Sequence, residues 1–128
     1  MPNALSAQGR AVTVALKTAL RVAGQDVDLL RGGNRATVRA MRGATRFQTT
    51  RADGTTIEFE STDWLMPVDC LPWPPLAAGD KVRVAVSETD TDEYVASHPA
   101  GEQVWRFVDP GRTFVRLHTR HVEANVEG

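Results

Sequence analysis

Three histidines, a lone cysteine and a run of carboxylates are the residues whose types and spacing invite a chemical reading. His118 and His121 stand three apart, which on a β-strand sends them to opposite faces, and His98 lies in a separate loop segment. Metal ligands must converge on one point, so no metal centre is expected. Cys70 with one of these histidines would make a nucleophile pair. Beside Val68 and Leu71 it reads instead as a small hydrophobe of the core. The stretch Glu88-Thr89-Asp90-Thr91-Asp92-Glu93 lacks the sixth-position glycine and the terminal bidentate acid of a calcium loop, and reads as a solvated turn. Arg31-Gly32-Gly33-Asn34 has neither the Lys-Ser/Thr nor the following helix of a phosphate cradle. No catalytic, cofactor-binding or metal-binding residue is therefore expected, and no enzyme.

Binding residues are the other possibility. Arg35 and Arg39 share a strand face with Thr37, and Arg31, Arg42 and Arg46 are close in sequence. Such a face can track phosphates. Single-strand-binding barrels add exposed stacking aromatics, whereas the one aromatic near these arginines, Phe47, is expected to pack inside. Trp64 and Trp105 read as core. Trp73 sits in the stiff run Pro72-Trp73-Pro74-Pro75 and has two readings: with Pro74 it is a rigid interface anchor, or it covers its own domain.

Charge is strongly segregated, although the net value is only −1. Residues 1–51 hold nine Lys or Arg and two acids, while residues 53–104 hold eleven acids and two bases. Two arrangements relieve the repulsion within each segment. Basic and acidic strands can pair in one sheet, or the acidic Asp90, Asp92 and Glu93 can meet Arg35 and Arg39 between subunits. Both stay open at this level.

The elements that must carry these residues are short. The chain's 128 residues suit a single domain spanning 1–128. No apolar run reaches the roughly 20 residues that cross a bilayer, and Gln8, Arg10 and Lys17 interrupt any signal-peptide core. One cysteine forbids an internal disulfide, so a reducing, cytoplasmic origin is expected. Residues 4–23 read as the one helix, with Leu5, Val12, Leu16 and Leu20 near one stripe, Asn3 as cap and Gly24 just past the end, within an N-terminal unit 1–24. From 27 to 122 the pattern is strands at 27–31, 35–42, 45–51, 55–61, 64–68, 81–86 and 94–96, then a final hairpin through Pro110-Gly111. Gly32-Gly33-Asn34 and Ala52-Asp53-Gly54 punctuate them as three-residue turns, and residues 87–93 form an acidic loop. The fold class expected is mainly β: a small antiparallel β-barrel with one N-terminal α-helix, long loops and a flexible tail at 123–128.

Three segments, in order, resemble bacteriophage head–tail joining proteins of the stopper or head-completion type. They are Thr45-Arg46-Phe47 with Ile57–Pro67 (Phe-Glu-Ser-Thr-Asp-Trp-Leu at its centre); Pro75–Val82 with Gly79-Asp80-Lys81; and Trp105-Arg106-Phe107-Val108-Asp109-Pro110 with Arg112-Thr113 and Leu117-His118-Thr119. The resemblance spans about residues 27–122 and implies a structural virion protein in the head–tail neck, assembled in the host cytoplasm. It further implies a ring of copies, commonly six, between portal or adaptor proteins and a tail terminator or tail tube protein. Such a ring lies near the packaged DNA without reading it, helps retain that DNA, needs no cofactor and meets no membrane. The alternatives are another connector ring, a small tail or baseplate protein, or a barrel-type nucleic-acid-binding module.

Overall fold

A computed structural model describes residues 7–73, 76–99 and 101–122. Asn3, the first helical residues expected at 4–6, Pro74 and the tail at 123–128 lie outside the described residues. The chain runs α1 (Ala7–Ala23), β1 (Gln25–Arg31), β2 (Asn34–Thr50), β3 (Thr56–Pro67), a 3-10 turn (Val68–Cys70), β4 (Lys81–Ala85), β5 (Thr91–Ala96), β6 (Trp105–Phe107) and β7 (Phe114–Val122). All pairings are antiparallel, in the order β3-β2-β1-β4-β5-β7-β6, and β3 also pairs with β7. That last pairing closes a six-stranded barrel and leaves β6 as an extra strand beside β7. The expected class, a small antiparallel barrel with one N-terminal helix, is the observed one. Closure pairs β3 with β7 and so covers the edges these strands would otherwise expose within the barrel.

The barrel is filled by Trp64, Leu29, Val27, Val82, Met66 and Leu117, all at or near zero exposure. Trp64 meets Tyr94 edge-on, with ring centroids 5.4 Å apart. Alternation explains the filling, since Val27 and Leu29 point inward while Asp28 faces out.

Two pairs of expected strands are single long strands. β2 runs unbroken through Gly43, where an added Cβ would stand 3.3 Å from Leu65 Cδ1 and 3.7 Å from the Arg116 guanidinium. This glycine makes room for a neighbour; it does not turn the chain. β3 runs unbroken through Thr62-Asp63, the gap between the expected strands 55–61 and 64–68, because Asp63 is satisfied within the fold. The turn between β1 and β2 has two residues, Gly32 and Gly33, with Gly32 at φ 58°, so Asn34 already belongs to β2. β5 begins at Thr91, three residues before the expected strand, because Glu93 crosses to Lys81 and Arg83 of β4 (3.3 and 3.1 Å). Helix α1 also docks differently. Thr13, Leu16 and Leu20 face the barrel half-buried, Val12 is exposed, and no described side chain of the helix is fully buried.

Candidate interaction surface

The most polar buried spot lies where β2, β3 and β7 meet, on the face of β3 opposite Trp64 and Met66. Asp63 of β3 is fully buried, with His118 and Ser61 nearly so. Its Oδ1 accepts hydrogen bonds from Ser61 Oγ (2.6 Å) and His118 Nδ1 (2.9 Å). Its Oδ2 accepts from Thr45 Oγ1 and from Arg116 Nη1 (2.5 Å). Burial alone would push the Asp63 carboxyl up, but the bonds from Ser61, Thr45, His118 and Arg116 hold it below the ordinary aspartate value. Serine, histidine and aspartate side by side invite a nucleophile reading. The geometry answers it: Ser61 and Asp63 both address the same nitrogen, Nδ1, so no proton path runs from serine through the ring to the acid. The cluster is an internal brace.

That brace roots a projection. β1 leaves β2 at Ala40 and β7 leaves β3 at Thr62, so residues 45–50 and 56–61 continue as a two-stranded ribbon about 17 Å long. One ribbon face carries the pairs Phe47–Phe59 and Thr49–Ile57; the other carries Arg46–Glu60 and Gln48–Glu58. The two phenylalanines stack at 5.4 Å, and Phe47 meets His118 edge-on at 5.4 Å. Phe47 and Ile57 are only half-buried and Phe59 is 37% exposed, so the apolar face expected to be interior is largely open. Beneath it a cleft of about 320 Å³ is lined by Thr45, Phe47, Glu102, Gln103, Arg106 and His118. Ile57 and Phe59 alternate with Thr56, Glu58 and Glu60, the pattern of an amphipathic strand, but nothing local says that the strand outruns its neighbours.

Helix α1 is held by few groups. Asp109, at the turn between β6 and β7, accepts the Thr13 hydroxyl (3.0 Å) and the Thr113 hydroxyl (2.5 Å) through Oδ2. Through Oδ1 it accepts the backbone N–H groups of Thr113 and Phe114. Burial pushes the Asp109 carboxyl up, and these bonds outweigh it and hold the carboxyl low. At the other end, Arg39 donates to the carbonyls of Leu20 (3.2 Å) and Arg21 (3.3 Å), where cations suit a helix C-terminus.

The residues nominated from sequence do not form one site. Arg35 is paired with Asp28 at 2.7 Å, and Arg39 is occupied by α1, with Asp26 at 3.7 Å. Glu93 is paired across β4, and Asp92 lies 3.5 Å from His121 Nε2. In-sheet pairing of opposite charge thus accounts for much of the segregation. Trp73 is half-buried against the core with the Arg31 guanidinium 5.6 Å above its ring, while Arg31 grips buried Asp80 through two bonds of 2.7 and 2.8 Å. Cys70 is exposed rather than core, because the 3-10 turn places it outside the barrel; burial first, then Asp69, pushes its thiol up, away from thiolate reactivity. His118 and His121 do face opposite sides, one buried and one exposed. Among the described residues no three His, Cys, Asp or Glu gather as metal ligands, and no helix is long and apolar enough to cross a membrane.

A small closed barrel whose buried polar groups are spent on one another, and whose apolar surface is displayed on a ribbon and a helix, is a structural docking unit. Over residues 6–126 the chain matches the family described as phage head-tail joining proteins, and it belongs to that family. The family is one of structural proteins, which makes this chain a component of the virion's head–tail connector that contacts other virion proteins. No curated protein matches the chain.

Proposed function

We propose that copies of this protein, assembled in the host cytoplasm, form a ring in the neck of a tailed phage, commonly of six. The ring stands between portal or adaptor proteins and the tail terminator or tail tube, helps retain packaged DNA and performs no catalysis. The observation that carries this reading is the ribbon. An isolated two-stranded ribbon is marginal in water, and this one offers stacked aromatics on a half-open face. Such a surface is suited to burial at a joint. Trp73 can add to the contact through the part of its ring that the core leaves uncovered. A module reading nucleic acid is less well supported, because Arg35 and Arg39 are engaged within the chain.

The test is to block production of the protein in the phage that encodes it and to image the lysate by electron microscopy. Separate filled heads and finished tails, joined on adding purified protein, are expected; normal virions would overturn the reading. Phe59→Ser should then cost less than about 1 kcal/mol in the free chain, since the ring is partly exposed, yet reduce joining when added in place of wild type. Unchanged joining by that variant would remove the ribbon from the joint.

A further inference from the structure

The outer face of α1 has no cover. Ala11, Val14, Ala15, Thr18 and Val22 fall within about 100° of one another around the helix axis, opposite the docked Thr13, Leu16 and Leu20. Val14 is 62% and Val22 79% exposed. Lys17 and Arg21 flank this stripe on one side, and neither has an acidic partner among the described residues. Two such helices laid face to face would bring like charges together, so the cover must be acidic with an apolar spot.

The same chain owns such a surface. The tip between β4 and β5 carries Val86, 57% exposed, beside Glu88 and Asp90, which lack cationic partners among the described residues. In the closed strand order β3-β2-β1-β4-β5-β7, the β4–β5 hairpin stands diametrically across the barrel from β2–β3, against whose outer side α1 lies. Complementary patches on opposite sides of one molecule cannot meet each other, but they meet head-to-tail between copies, and a head-to-tail contact that closes makes a ring.

We propose that the contact between neighbouring copies is α1 of one, through Val14, Val22, Lys17 and Arg21, seated on the β4–β5 tip of the next, through Val86, Glu88 and Asp90. This rests on the ring reading above and names its interface.

The experiment adds purified protein to heads and tails from the depleted lysate. Wild type must restore joined particles; if it does not, the joining role itself is overturned, independently of the contact. One variant is Lys17→Glu with Arg21→Glu, the other Glu88→Lys with Asp90→Lys, each verified as folded by circular dichroism. Alone, each sets like charges across the contact and should restore joining about tenfold less well. Mixed in equal parts, they alternate around the ring with opposite charges at every contact and should recover most of the wild-type level. Wild-type joining by either variant alone, or failure of the mixture, would overturn the contact while leaving the joining role intact. Val22→Cys with Val86→Cys in a Cys70→Ser background gives a second readout. Oxidation of joined particles should yield a ladder of covalent multimers, and monomers only would overturn the proposal.

Discussion

Asp63 carries the residue-scale argument. It is a full charge buried on the outer face of the barrel wall, tolerated because four groups donate to it, two of them from β7. Asp63→Asn should destabilise the chain by about 3 kcal/mol at pH 7, because Arg116 and the hydroxyls lose the charge they are arranged around. The carboxyl is held below its ordinary value, so its contribution is present above the unfolded aspartate value of about 4 and is lost as pH falls through the lower folded value. Urea unfolding from pH 6 to pH 2 should show the wild-type advantage over Asp63→Asn shrinking in acid; a constant gap would mean the carboxyl is not the stabilising charge. Trp73→Ala should leave the chain folded but lower its stability by about 2 kcal/mol, since the ring is half-buried and capped by Arg31. Unfolding at ambient temperature would make Trp73 a core residue in full. In the sequence each of these residues was visible, yet their partners lie tens of positions away. The expected strands break between Ser61 and Trp64 because nothing nearby announces Arg116 and His118 as partners for Asp63.

At the scale of elements, the signals that were legible were local. Asp53-Gly54 turns the chain where expected, with Gly54 at φ 89° and Asp53 accepting the Thr55 N–H. Alternation in 81–85 is equally local, with Val82 and Val84 buried and Lys81 and Ala85 exposed, while Val86 leaves the strand and is exposed. What the pattern missed was length, because a strand's extent depends on which partners run beside it. Gly43 is the sharpest case: it reads as a breaker and serves as a clearance for Leu65 and Arg116. Gly43→Val should therefore cost about 2 kcal/mol by crowding both, measured by thermal unfolding, despite the better strand propensity of valine. A gain in stability would show that Leu65 and Arg116 yield without loss. The Thr13–Asp109 bond belongs here as well, since one hydroxyl joins helix to barrel: Thr13→Val should loosen α1 while leaving the strands intact.

For the whole molecule, order is unevenly distributed. The barrel is closed and densely filled, whereas α1 and the ribbon lean on it from outside. Native-state hydrogen exchange should show the six barrel strands opening at the global unfolding free energy, and α1 and residues 45–61 opening well below it. In joined particles both peripheral elements should gain protection. Equal protection of α1 and barrel in the free chain would mean that the helix is as firmly fixed as the strands. The charge segregation resolves at this scale too. Lys81, Arg83 and Glu93 cancel within β4 and β5, and Arg46 meets Glu60 across the ribbon, so the separation in sequence is far smaller in space.

The closing role of β7 has a consequence for synthesis. β3 waits about fifty residues for the strand that seals it, and β7 serves β3, β5 and β6 at once. A nascent chain that has released everything before Phe114 is an open sheet with bare edges on β3 and β5, unable to hold Asp63 or to anchor the ribbon's root. β7, the last of the described strands, thus completes the barrel, and a copy interrupted before it lacks the brace that roots the ribbon.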